Sequence, residues 1–223
     1  MFPLYDISKR KRIPFVTVAF IALCGLAFAI QLAQPDLTSF LYKYALVPQN
    51  INFTDISTLY PFVTAIFLHG GLMHIASNMW FLWVFGDNVE EEFKLWYLPF
   101  ILLGGVVGNL IQYFTMHEAS IPILGASGAV AAVLGAYIAM FPFNRIKTLL
   151  ILFIFISFID VPAWLMLGWW FVSQLFNGVA SITQSASTSD VAWFAHLGGF
   201  AFGYLVARLL RKRNDYYISY RPN

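Results

Sequence analysis

Runs of apolar residues long enough to cross a bilayer recur along this chain, with shorter polar stretches between them. They fall at about 13–33, 60–85, 96–116, 125–142, 162–180 and 191–210. A helix needs about 20 residues to cross hydrocarbon, so the pattern predicts six membrane-spanning helices. The apolar stretch from Leu149 to Ile159 is too short to span and is expected at the interface or packed against the bundle. The predicted fold class is all-α, a polytopic six-helix membrane bundle. A basic segment over 1–12 precedes the membrane-embedded domain over 13–210, and a tail over 211–223 follows it.

Composition agrees with a lipid solvent. The 223 residues are 60% hydrophobic and 11% charged, where a soluble domain carries about 25% charge. Lys9-Arg10-Lys11-Arg12 followed by an apolar run has the outline of a secretory signal. The run from Ile13 to Ile30 exceeds the roughly 7–15 residues of a removable one, so it reads as a retained first span. Cys24 is the only cysteine, which excludes an intrachain disulfide and a cysteine metal site.

Charge sets the predicted topology. With six spans, Lys9, Arg10, Lys11, Arg12, Lys94, Arg145, Lys147, Arg208, Arg211, Lys212, Arg213 and Arg221 share one side of the membrane, and Lys43 alone faces the other. The positive-inside rule makes the basic side cytoplasmic, with both termini on it. A net charge of +2 with terminal basic clusters suits an anionic lipid surface and no nucleic acid.

Three polar sites then share a similar depth near the opposite side. Ser127 opens the fourth span between Gly125 and Gly128, beside a small face of Ala132, Gly135 and Ala139. Such a face serves helix packing, and a serine there fits packing or catalysis. His196 lies inside the sixth span, where an ionisable side chain is a functional candidate. Gly199 and Gly203 follow it as a G-x-x-x-G, which permits close contact with a partner helix. His74 and Asn78, four residues apart, share one helix face. Both are side chains able to donate to an oxyanion, and both are able simply to pack. His69, ahead of Gly70-Gly71, reads as a structural residue of the loop entering that helix.

Other chemistries fit poorly. The only His-Glu pair, His117-Glu118, does not continue as H-E-x-x-H, and no metal or cofactor is expected. Ala129 breaks the G-x-S-x-G elbow of soluble hydrolases. No acidic residue lies mid-span to support a paired-carboxylate mechanism. A serine–histidine pair without a third acid is what remains.

The motifs GASG at 125–128, His74-x-x-x-Asn78 and AHLGGFAFG at 195–203 together resemble the rhomboid family of intramembrane serine proteases, in its bacterial six-span form. The resemblance covers about residues 14–210. It implies Ser127 as nucleophile, His196 as general base, and His74, Asn78 and the Ser127 backbone as the oxyanion hole. Gly199 would carry the close approach of helices four and six. The implied substrates are single-span membrane proteins reaching the site sideways through the bilayer, between spans two and five, at the plasma membrane. A catalytically silent rhomboid-like protein that binds membrane clients is the alternative.

The chain departs from the family twice. Residues 34–61 hold neither Trp nor Arg, where many members carry a Trp-Arg pair. Ala131 stands four positions after the serine, where several members stack an aromatic ring beneath the histidine, so another group must orient His196. The polar stretch 177–190 reads as a connecting loop or as a lid.

Overall fold

The computed structural model describes residues 2–8, 13–152, 155–183 and 191–210. The basic run Lys9–Arg12, the tail 211–223 and residues 184–190 of the proposed lid lie outside them. The elements run β1 (Phe2–Asp6), α1 (Phe15–Leu32), α2 (Leu37–Tyr44), α3 (Pro61–Thr64), α4 (Leu72–Phe93), α5 (Tyr97–Thr115), α6 (Ser127–Met140), β2 (Arg145–Leu152), β3 (Phe155–Pro162), α7 (Ala163–Thr183) and α8 (Trp193–Leu210). The helices α1, α4, α5, α6, α7 and α8 overlap the expected spans, α6 with only 14 residues, and the fold is mostly helical as predicted.

The second span differs from its expected bounds of 60–85. Pro61–Phe67 forms only α3 and a tight turn, the chain breaks at His69–Gly71, and α4 then runs on to Phe93. Hydropathy falls at Gly86-Asp87, but Glu90, Glu91 and Glu92 are good helix formers and extend the helix. Glu90 also has a partner: its carboxylate accepts the Val16 N–H at 2.9 Å, and the Thr17 N–H and hydroxyl at 2.8 Å each. Those are orphan donors at the start of α1, so one side chain ties α1 to the far end of α4.

α6 is the axis of the bundle. Every residue from Gly128 to Tyr137 is buried, and α4, α5 and α8 pack around it. Its Gly, Ala and Val side chains let neighbouring backbones approach, since lipid supplies no hydrophobic drive between helices. α5 presents its own glycines in return: a Cβ on Gly104 would overlap the Ala132 methyl, and one on Gly105 would fall 2.6 Å from Ile66 Cδ1.

The described parts of the short apolar stretch 149–159 are strand, not helix. Arg145–Leu152 and Phe155–Pro162 pair antiparallel as the β2–β3 hairpin, and β1 completes an antiparallel sheet in the order β1-β2-β3. Trp80 Nε1 donates to Pro3 O at 2.6 Å, and Asn88 Nδ2 donates to Asp6 Oδ2 at 2.8 Å. Those α4 residues are eight apart, about 12 Å along a helix, and their partners three apart, about 10 Å along a strand. β1 therefore lies alongside α4. Asp6 also accepts from Tyr137 and Asn144, so one carboxylate joins β1 to α4, α6 and the turn before β2. Arg145, Lys147 and Asp160 sit at the base of the hairpin, and the exposed Ile151, Ile156 and Phe158 lie further up it. Of the stretch read as loop or lid, residues 177–183 are the last two turns of α7.

Candidate functional site

The approach to α6 is held by the loop before it. Leu46 and Ile123 exchange both backbone hydrogen bonds, at 2.9 and 2.7 Å, and the Gly125 N–H donates to Ala65 O at 2.9 Å. Gly125 has φ +131°, a conformation that L side chains adopt only under strain. Space demands glycine as well. A Cβ there would lie 2.7 Å from His74 Nε2, with Ser127 Oγ 3.7 Å away. His74 and Ser127 thus flank the same glycine. Ser127 is the first residue of α6, so its backbone N–H is one of the helix-start donors without an intrahelical partner.

His74 and Asn78 lie one turn apart in the first half of α4. The Gly70 N–H donates to His74 Nδ1 at 3.3 Å. That nitrogen is an acceptor, so the proton sits on Nε2, the atom facing Gly125. Asn78 is 7% exposed, and among the described residues its Nδ2 has no hydrogen-bond partner, as is also the case for the buried Nε2 of His69. Buried amides in folded proteins are nearly always paired, so this donor, one turn from His74, is open to a ligand.

His69 is fully buried behind this pair. Its N–H and C=O are both tied to the Gln31 amide of α1, at 3.2 and 2.6 Å. Its ring meets His74 edge-on, with centroids 5.3 Å apart.

α8 brings in His196. A Cβ on Gly199 would collide with the Gly128 carbonyl, and one on Gly203 with the Ala132 carbonyl. The G-x-x-x-G of α8 therefore packs on the small face of α6, as its spacing suggested. One turn nearer the helix start, a Cβ on Gly128 would lie 3.5 Å from Ala195 O. The chain neighbours of Ser127 and His196 are thereby in contact. Gln112 of α5 fixes the start of α8: its Oε1 accepts the N–H groups of Phe194 and Ala195 at 3.0 and 3.1 Å.

His196 is oriented by α7. Its Nδ1 lies 2.7 Å from Gln174 Oε1, and Trp170 and Trp193 flank the ring with centroids 5.9 Å away. Among the described residues, Ser127 Oγ has no hydrogen bond and the His196 ring has none beyond Gln174. In unliganded sites this bond is often open and tightens when substrate seats.

The structure thus gathers Ser127, His74, Gly125, Gly128, Gly199 and His196 near the N-terminal ends of α4, α6 and α8. Asn78 is one turn along from His74, His69 stands behind, and Gly203 packs one turn deeper. Gln174, Gln112 and Trp170 were not identified from the sequence. The signal available for Gln174 was a long polar side chain inside an apolar window, together with the need for a group to orient His196. No cluster of His, Cys, Asp or Glu suited to a metal is present among the described residues.

The family model for the rhomboid domain matches residues 57–213. "Rhomboid-like protein 11, chloroplastic" of Arabidopsis thaliana is 32% identical over 160 residues, covering 69% of this chain and 53% of that protein. "RHOMBOID-like protein 12, mitochondrial" of the same plant is 30% identical over 171 residues, covering 69% and 47%. The human "Presenilin-associated rhomboid-like protein, mitochondrial" is 30% identical over 159 residues, covering 64% and 36%. The chain belongs to the rhomboid family, and it spans about half or less of the length of these relatives.

The relatives correct the plasma-membrane expectation. They are chloroplastic and mitochondrial proteins, and the bacterial likeness on which that location rested is not what the comparisons return. A multi-pass membrane protein is what stands.

Proposed function

We propose that this protein is an intramembrane serine endopeptidase that cleaves single-span membrane proteins, with the helical domain over 13–210 as its catalytic unit. The observation that supports this reading best is the glycine contact of α6 with α8. It sets Gly128, which follows Ser127, beside Ala195, which precedes His196, and this supports pairing the two as a dyad.

In this mechanism His196 Nε2 takes the proton of Ser127 Oγ as that oxygen attacks the scissile carbonyl carbon. The carbonyl π pair moves onto oxygen. The resulting oxyanion is held by the Ser127 backbone N–H, His74 Nε2–H and the Asn78 amide. Collapse expels the amine, which leaves with the proton from His196. Water, deprotonated by the same imidazole, then releases the acyl group from Ser127. The carbonyls of a helical substrate are tied up in its own hydrogen bonds, so the segment must unwind first. Glycine near the scissile bond eases this by about 1 kcal/mol per residue relative to alanine. The substrate reaches the site laterally between α4 and α7.

Labelling of the folded, detergent-solubilised chain with a fluorophosphonate, mapped by mass spectrometry, tests the proposal. An adduct on Ser127 that disappears in Ser127→Ala and in His196→Ala is the expected result. A folded wild-type chain that stays unlabelled would favour the client-binding reading instead.

A further inference from the structure

From the hydrogen bonds around His196 we infer that Gln174 is a third member of the site, a neutral positioning residue that holds the imidazole in the tautomer able to act as a base. The inference rests on the dyad proposed above and extends it to α7.

The hydrogen-bond chain has one consistent direction. Ser173 Oγ lies 2.6 Å from Trp170 O. A carbonyl only accepts, so the hydroxyl proton points there and the Ser173 lone pairs remain free. Gln174 Nε2 donates to that oxygen at 3.0 Å. With its NH2 group so engaged, the amide presents Oε1 to His196 Nδ1 at 2.7 Å. An amide oxygen also only accepts, so Nδ1 is the protonated ring nitrogen. A neutral imidazole carries one N–H, and Nε2 is left with its lone pair. That is the atom a serine hydroxyl must meet.

Burial strengthens the assignment. Gln174 is 7% exposed and His196 9%, so little water competes for either group. The Trp170 and Trp193 rings close the ring in from two directions. A buried aspartate does this work in the soluble serine proteases, and in the papain-like cysteine proteases an asparagine does. In a span, an amide orients the ring without placing a second charge in lipid. This also accounts for Ala131: with the ring fixed from α7, no aromatic side chain on α6 is needed beneath it.

The test uses the full chain in detergent micelles, with the rate of Ser127 labelling by a fluorophosphonate as one readout. The second is the 15N spectrum of histidine-labelled protein, its His196 signals assigned by difference against His196→Ala. Wild type is expected to show Nδ1–H at His196. Gln174→Leu is expected to label at least roughly tenfold more slowly and to lose the pure Nδ1–H signature. Gln174→Glu, which keeps an acceptor oxygen at the same reach, is expected to recover labelling relative to the leucine variant. Ser173→Ala frees the amide to rotate and is expected to fall between wild type and Gln174→Leu, which covers the case of a leucine variant that misfolds. An Nε2–H tautomer in wild type, or folded Gln174→Leu labelling at the wild-type rate, would overturn the inference. Wild type that shows Nδ1–H and never labels would defeat the protease reading and leave the Gln174 contact standing.

Discussion

The backbone of Gly199 rests on the carbonyl of Gly128, with no room for even a methyl group between α8 and α6. Because the neighbouring residues are Ser127 and, one turn back, His196, this contact sets the separation of the proposed nucleophile and base. Gly199→Ala must push the helices apart. We expect a loss of about 1–3 kcal/mol from overpacking, seen as a lower Tm, together with loss of Ser127 labelling. Gly25 in α1 has no atom within 4 Å of a built Cβ. Gly25→Ala is therefore expected to leave labelling intact and to stabilise the helix by about 0.5–1 kcal/mol.

Asn78 makes a sharper separation of activity from stability. Among the described residues its Nδ2 has no hydrogen-bond partner, so Asn78→Ala removes no hydrogen bond donated by that amide from the folded state. A lost oxyanion donor lowers turnover by about 10²–10³. Cleavage of a model single-span substrate should fall by that factor while the Tm stays within a degree or two. A large drop in Tm would instead mark Asn78 as a packing residue.

Gln112 is expected to behave in the opposite way. Gln112→Leu strands the part-buried N–H of Phe194 at the start of α8, at a cost of about 1–3 kcal/mol, while the N–H of Ala195 keeps the Ala192 carbonyl at 3.0 Å. The variant should melt earlier in differential scanning fluorimetry. Its residual labelling should follow the fraction of folded protein.

Asp6→Ala tests the anchoring of the sheet. Asn88, Asn144 and Tyr137 lose a shared acceptor, while β1 keeps its pairing with β2 and its contacts with Trp80. Hydrogen exchange should quicken in residues 2–6 and in β2 while the amides of α6 between Gly128 and Tyr137 stay protected. Acceleration throughout α6 would mean that the strand supports the whole bundle.

The parts legible in the sequence were those written in local pattern. Hydropathy located the spans because each helix satisfies its own backbone in lipid. GASG, His74-x-x-x-Asn78 and AHLGG stood out because glycine and polar residues are conspicuous inside apolar windows. Gln174 matters only through α7 packing on α8, a relation that no spacing within α7 encodes. The loop at His69–Gly71 is legible in its glycines, but the apolar residues on both sides of it draw the expected span back to residue 60. In the hairpin, Phe155–Pro162 is rich in aromatic and β-branched residues, a strand signal. The partner strand β1, though, lies some 140 residues earlier in the chain.

That separation shapes the biogenesis of the protein. β1 is synthesised before any span, yet its pairing partners at Ile146 to Leu149 emerge only after α1, α4, α5 and α6 have been made. At about 5–20 residues per second, translation takes roughly 7–30 s to cover the interval. Throughout it Asp6 has Asn88 and Tyr137 to meet only once α4 and α6 are in the bilayer. A chain arrested before β2 would hold its helices with the clasp undone, and the sheet closes as one of the last acts of assembly.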